Sequence, residues 1–389
     1  MARLLQTLGR ERGGARPPGS PGDGMNGTGP VGLMVVGLGD VGSSLIAGVL
    51  AARAHLVHPF GSLVEAGGAG RSPDSGPTPL RQQAPLAGLG DLVLGAFEIR
   101  EDDAHRAAAR AALLDRSLLD ELRPELRKIR AMLGARQAPS QRHLAEALAS
   151  DLRGFLAHHH CSRGVVVCTL PGVRTPLAKP GFTADEIRAA LEQSADWVTP
   201  GVVYAAAAAE AGCAFVAAGR DAALGAPGIP ALFEEKSLPI AGTGLLGPDA
   251  LLREMLARVL SMEGMQLTGS ASLSTRAEER GARLWGGPDR TSEIGLASTW
   301  AGGAFELSLE LRGEIALHLA ARALDAALLT DLATRAGRKG AQIWMDALFA
   351  APLGSATPRQ AAAQSLLERR ARLLAELQVL ARSVEREAA

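Results

Sequence analysis

Gly37, Gly39 and Gly42 follow the apolar run Leu33 to Val36 and precede a helix-like segment, Ser43 to Leu50. Strand, glycine turn and helix in that order are what a dinucleotide site requires. Gly37 permits the tight turn, Gly39 lets backbone approach a pyrophosphate, and Gly42 lets the helix pack close to the strand. The phosphates then meet amides at the helix N-terminus, so Gly37, Leu38, Gly39, Asp40, Val41, Gly42 and Ser43 make up the expected cradle.

Other strand ends add chemistry to the same edge. Asp91 to Ile99 reads as a buried strand ending in Glu98, a carboxylate suited to accept hydrogen bonds from ribose hydroxyls; as an exposed loop acid it would have no such role. The runs Val165 to Pro171 and Cys213 to Ala217 are further buried strands that deliver Thr169, and then Gly219-Arg220-Asp221, to their carboxyl ends. Thr169, Gly219 and Asp221 therefore join Glu98 as candidate cofactor contacts. His158-His159-His160-Cys161 invites a metal reading, but consecutive helix residues point in different directions and shared ligation prefers residues three or four apart. Histidines at a helix C-terminus also suit the dipole, so no metal is expected.

The elements that must position these residues alternate. Strands separated by helices at this spacing predict an α/β fold with a parallel sheet and right-handed crossovers. Between them, residues 59–79 read as a long surface loop. A helix is expected from Glu101-Asp102-Asp103 through Ile129, kinked or split at Pro124. Further helices are expected over 141–157, from Thr183 onward and over Val202 to Ala211. After Gly242 the texture changes to a helix, 247–262, and a polar stretch, 266–303, with little periodicity. Phe305, Leu307, Leu309 and Leu311 then alternate with Glu306, Ser308, Glu310 and Arg312, the period of a strand with one wet face. Such a half-exposed sheet belongs to a second domain or an oligomer interface. Helices over 319–336 and 358–386 finish the chain.

Composition bounds the function. A chain of 389 residues with 47% hydrophobic content can bury more than one core. The 41 basic and 41 acidic side chains cancel, so no net field draws nucleic acid or an anionic membrane. Cys161, Cys168 and Cys213 are too scattered for a disulfide framework or structural zinc, which fits a reducing cytoplasm. No long uncharged apolar run and no secretion signal is present, so a soluble cytoplasmic protein is expected. Residues 1–29, rich in Gly, Pro and Arg, read as a disordered tail, with Met25 as an alternative start.

Several of these segments together resemble the myo-inositol phosphate synthase family. The likeness runs from Gly37 through Arg53, then Phe60-Gly61-Ser62-Leu63, Asp91 to Asp103, Tyr204-Ala205 and Glu210 to Phe215. It continues at the Gly219 turn, Pro227-Gly228 and Pro239 to Gly242, and resumes at Leu324-Asp325 and Leu328 to Arg335. The resemblance implies a Rossmann-type NAD-binding domain built from residues 30–245 and 320–389. A smaller, shortened central α+β domain, residues 246–319, would serve catalysis and oligomerisation, usually in a homotetramer. It also implies a sugar phosphate as the small-molecule partner: the family converts glucose 6-phosphate to inositol phosphate, for inositol and phospholipid biosynthesis. That chemistry oxidises a hydroxyl by hydride transfer, enolises, closes the ring by an intramolecular aldol step and returns the hydride. It needs cations beside a developing enolate and a phosphate, which the family supplies largely as lysines.

This chain departs from the pattern there. Its only lysines are Lys128, Lys179, Lys236 and Lys339. Where the family reads Phe-Lys-Ser-Gly-Gln-Thr-Lys, this sequence reads Gly242 to Arg253, with Leu246 and Leu251 at the two lysine positions. Arg253 alone keeps a charge and is the one catalytic candidate. The 264–303 segment contains no lysine, and Glu310-Leu311-Arg312-Gly313-Glu314 replaces His-Asn-Thr-Cys-Glu, matching only at Glu314. Arg253, Arg276, Arg280, Arg283 and Arg290 could hold a phosphate, but arginine is a poor proton shuttle. Two functions follow: a synthase with an arginine-based site, or an NAD-binding homologue with another substrate or no catalysis. An ordinary dehydrogenase sharing only the fold is disfavoured by the length of the matches.

Overall fold

The computed structural model describes residues 29–67, 78–171, 181–275, 289–354 and 365–388. Residues 1–28 of the expected tail, 68–77 of the long loop, Lys179, Arg276, Arg280 and Arg283 lie outside them. In chain order the first elements are β1 (Val31–Val36), α1 (Asp40–Arg53), β2 (Leu92–Glu98), α2 (Ala104–Ala111), α3 (Arg116–Lys128), β3 (Met132–Leu133) and α4 (Gln141–His158). There follow β4 (Arg163–Cys168), α5 (Ala184–Gln193), α6 (Pro200–Ala211), β5 (Ala214–Ala217), α7 (Gly228–Glu235) and β6 (Pro239–Gly242). The remainder comprises α8 (Pro248–Met262), β7 (Gln266–Thr275), β8 (Asp289–Ser298), β9 (Ala304–Gly313), α9 (Ile315–Arg335), β10 (Gly340–Ala341) and α10 (Leu366–Ala388).

The larger sheet is parallel throughout, seven strands in the order β10-β6-β5-β4-β1-β2-β3. Successive side chains of its central strands enter different cores. Leu33, Val35, Val165, Val167 and Val216 face the core built with α1, α9 and α10, whereas Met34, Val36, Val166, Cys168 and Phe215 face the one built with α4 to α7. A strand covered on both faces must be apolar at every position, which is why these segments read as unbroken apolar runs. The chain moves from β1 to β2 on one side and returns to β4 on the other. The reversal falls at the carboxyl ends of β1 and β4, where open α/β sheets hold ligands.

Two expectations about local structure need correction. The helix expected across 101–129 is split, but not at Pro124. Ala112 turns left-handed at φ 53, and α3 restarts behind Asp115, whose carboxylate accepts from the Ser117 amide at 2.8 Å. Pro124 lies inside α3, where the buried Leu122 and Leu126 on either side of it hold the helix together across the missing amide. The described parts of the 266–303 stretch, 266–275 and 289–303, are not irregular: β8 pairs with both β7 and β9 in an antiparallel sheet of order β7-β8-β9. A bulge between Leu267 and Gly269 breaks the register with β8, and with it the period that a sequence would show. α8 packs against β7 and β8, leaving β9 at the edge with Phe305 54% exposed. Among the described residues no helix is long and apolar enough to cross a membrane.

Within the 59–79 segment, Ser62, Leu63 and Val64 are also buried rather than on the surface. Asp325, fully enclosed in α9, accepts from Ser62 Oγ at 2.5 Å, the Leu63 amide at 2.8 Å and the Val64 amide at 3.1 Å. Arg322 stands 3.9 Å away. One carboxylate from the second half of the chain thus satisfies three donors of a loop near its start. Burial pushes the Asp325 carboxyl up to about 6, against the pull of Arg322 and the three donors. The folded chain therefore keeps this proton to higher pH than the unfolded chain, and stability falls as pH rises from about 4 to about 6. Urea titrations across that window should show the wild-type midpoint falling relative to Asp325→Asn, which has no proton to lose. The variant itself should be less stable by roughly 1–3 kcal/mol, since its amide faces the Leu63 donor. Parallel midpoints for the two proteins would remove this assignment.

Candidate functional site

The glycine turn joins three strand ends. Gly37, at φ +88, donates its amide to Phe97 O of β2 at 2.9 Å. Leu38 donates to Glu98 Oε2 at 2.8 Å. From β4, Thr169 donates its amide to Val36 O at 2.9 Å, and its hydroxyl lies 3.0 Å from Val36 O and 2.8 Å from Gly37 O. Behind the turn there is no room: a Cβ on Gly42 would stand 2.0 Å from Gly37 O and 2.9 Å from Thr169 Oγ1. In front it is open, for a Cβ on Gly39 would meet nothing within 4 Å. Gly39 caps α1 without a side chain, and the Ser43 amide returns to Gly39 O at 2.9 Å to start the helix. The helix N-terminus, with its partial positive charge, faces that open space.

Glu98 is neither a bare loop acid nor wholly committed. Its Oε2 takes the Leu38 amide and its Oε1 the Ile99 amide, both at 2.8 Å. A carboxylate has about four acceptor positions, so each oxygen keeps capacity for a hydroxyl. Tyr204, the only tyrosine in the chain, supports this corner from α6 by donating to Gly134 O at 2.8 Å and meeting Phe97 edge-on at 5.6 Å. Its burial pushes its hydroxyl well above the ordinary tyrosine range.

The remaining candidates divide. Gly219 reaches the same edge, its amide on Cys168 O at 3.1 Å. Asp221 turns beneath α6: it accepts from Thr199 Oγ1 at 2.5 Å and the Ala223 amide at 3.0 Å, and burial raises its pKa. Both its oxygens are engaged within the protein. Arg253 lies on the exposed side of α8. Arg290 falls in β8, and Lys236 pairs with Glu210 at 3.2 Å on the outer surface, 43% exposed. His158 ends α4 and His159 caps it, their rings edge-on at 4.8 Å, beside a broad open depression of about 590 Å³ that also includes Arg136, Asp151 and Phe155. Among the described residues no group of His, Cys, Asp or Glu is placed to hold a metal ion.

The loop at the expected lysine positions is locked. Thr243 donates to Ala351 O at 2.5 Å, Gly244 to Ala217 O and Gly219 O at 3.0 Å each, Leu245 to Ala218 O at 3.0 Å, and Leu246 to Leu348 O at 2.9 Å. Ala350 and Ala351 return amides to Gly244 O and Thr243 O at 2.7 and 3.1 Å. Every amide from 243 to 246 is spent on a carbonyl. Arg220, which the sequence brings to this edge without a role, faces Gly244 here: a Cβ on Gly244 would lie 2.5 Å from Arg220 Cγ.

A parallel sheet with a glycine turn at its switch point and a carboxylate closing the adjacent strand defines a dinucleotide-binding α/β protein. The family model for myo-inositol-1-phosphate synthase, of an NAD-binding type, matches residues 31–375. The chain belongs to that family, and NAD is its cofactor. It is 24% identical over 388 residues to inositol-3-phosphate synthase 1 of Bacteroides thetaiotaomicron, covering 84% of this chain and 90% of that one. Against inositol-3-phosphate synthase of Drosophila melanogaster the identity is 24%, covering 65% of this chain and 51% of the relative, so here it spans about half the relative's length. Its fold matches the crystal structure of inositol-3-phosphate synthase from Caenorhabditis elegans with a TM-score of 0.75 at 18% identity, over 91% of this chain and 86% of that one. A myo-inositol-1-phosphate synthase-related protein from Thermotoga maritima matches with a TM-score of 0.61 at 15% identity, over 88% and 98%.

The open cradle at Gly39 and the spare acceptors of Glu98 fit a diphosphate and a ribose. Gly39→Val should leave the unfolding free energy within about 1 kcal/mol of wild type, because the added Cβ meets no protein atom within 4 Å. It should lower NAD affinity at least a hundredfold by calorimetry, because the side chain fills the pyrophosphate's place. NAD binding undiminished in this variant would show that the diphosphate lies elsewhere.

Proposed function

We propose that the protein is an NAD-dependent enzyme of the inositol-3-phosphate synthase type acting on a sugar phosphate, with glucose 6-phosphate as the first candidate. The observation that carries this reading is the open, uncapped N-terminus of α1 beside Glu98 at the switch point of the sheet. Bound NAD supplies a hydride acceptor and later the donor. The chain's own part is to hold it: the amides at the start of α1 take the diphosphate, and Glu98 takes the ribose hydroxyls. Thr169 and Asp221 act from behind, one fixing the turn and the other the loop that carries Gly219. In this reading residues 30–245 and 320–389 carry the cofactor. Residues 246–319 supply the substrate side and the contacts of a homo-oligomer.

A second reading has its own support, the locked loop at 243–246. Leu245 is buried, and Leu246 occupies the first lysine position with its amide already bonded. An apolar side chain cannot stabilise an enolate, and removing one such electrostatic contact commonly costs about 10²–10³ in rate. On that reading the chain binds NAD and serves another substrate, or none.

Purified protein incubated with NAD and glucose 6-phosphate, followed by mass spectrometry, separates the two. Inositol phosphate establishes the synthase reading. Absence of product from protein that binds NAD by calorimetry leaves the second. Glu98→Ala should weaken NAD binding at least tenfold, since it removes both the ribose acceptor and the anchor of the Leu38 amide.

A further inference from the structure

We infer that Arg220 is the anchor for the anionic group of the substrate, taking the place of the lysines this chain lacks. Its position comes from β4 and β5. Ala218 and Gly219 both donate to Cys168 O, at 3.0 and 3.1 Å, so Arg220 emerges at the carboxyl edge of the sheet. β5 is two strand spacings from β1, about 10 Å from the end where the glycine turn begins. A substrate reached by the cofactor's hydride-carrying end would lie over this part of the edge.

Its chemistry comes from what surrounds it. Among the described residues Arg220 makes no hydrogen bond and no ion pair, and its side chain is exposed. A surface arginine that is merely solvated looks the same in those respects, but this one rests its stem against backbone, at Gly244. Gly244, at φ +67, lies so close beneath it that any side chain there would collide with Arg220 Cγ. The adjacent acid does not neutralise it, because Asp221 is turned inward onto Thr199 and Ala223.

Nothing else on this loop serves an anion. The amides of Thr243, Gly244, Leu245 and Leu246 all go to carbonyls, so the backbone forms no nest. The lysine positions are leucines. A guanidinium offers a planar pair of donors matched to phosphate, which an ammonium does not. The class of ligand is a phosphate monoester. That class rests on the sugar-phosphate reading above, whereas the placement of the cation does not.

The test is calorimetry on protein saturated with NAD, with inorganic phosphate, glucose 6-phosphate and glucose as probes. Arg220→Ala should weaken phosphate at least tenfold, with NAD affinity within twofold of wild type and the unfolding midpoint unchanged. Arg220→Lys should recover part of the loss, because it restores charge without the paired donors. Glucose 6-phosphate should follow phosphate, and glucose should be indifferent to the substitutions. If wild type binds no phosphate in the presence of NAD, or Arg220→Ala binds it as tightly as wild type, Arg220 is not the anchor. If phosphate binding depends on Arg220 while glucose 6-phosphate is not bound, the anchor stands and the proposed substrate falls.

Discussion

The contact at Gly42 is the constraint on which the rest depends. α1 approaches β1 so closely that a single methyl group at this position would drive into the carbonyl of Gly37 and the hydroxyl of Thr169. In that packing Thr169 reaches across from the end of β4 to the Val36 and Gly37 carbonyls while Phe97 receives the Gly37 amide from the other side. The turn is therefore a junction of β1, β2 and β4 rather than a loop attached to one of them. Shift α1 outward by the ångström or more a methyl needs, and the registration of three strand ends changes together, because close-packed interiors transmit displacements. Its open front at Gly39 is the counterpart of that tight back.

Much of this was legible because burial on both faces leaves a clear mark. β1, β4 and β5 read as apolar runs since each alternate side chain has a core to enter, and α6 reads as a helix without a polar face since Val202 to Ala209 are all buried. The glycine spacing locates the turn for a similar reason: a missing side chain at a fixed interval reports a missing volume. By contrast, β7 and β8 are strands because of the neighbours they pair with, and a polar segment with a bulge carries no period to announce it. The tie between Asp325 and the loop at Ser62 was illegible for another reason. Its partners are separated by more than half the chain, and neither segment alone shows a need for the other.

Glu98 and Asp221 show where reading by position stops. Both are carboxylates just beyond parallel strands on one sheet edge, and the sequence assigned them one role. What separates them is how many acceptor positions the protein uses. Asp221 sits beneath the N-terminus of α6, where Gly201 leaves room for its Oδ2 and Thr199 and Ala223 take its oxygens. Glu98 holds two backbone amides with half its capacity and remains partly exposed. An acid whose oxygens are spent inside the protein stiffens a site, and one with acceptors to spare can also recognise a hydroxyl.

The locked loop also changes what the late part of the chain is for. Residues 348–351 supply the acceptors and donors that complete the ribbon with 243–246, and the Leu353 amide reaches Gly242 O at 2.5 Å. The segment after β10 is thus built into the wall of the site, not merely packed behind the sheet. A loop that must present lysines to a reacting substrate has to leave backbone and side chains accessible; one whose amides all pair with carbonyls gives up that access for a fixed shape. In such a wall, charge can enter only on side chains that project from its rim. The turn after β5 carries one such side chain, at Arg220, lying over the one residue of 243–246 small enough to admit it.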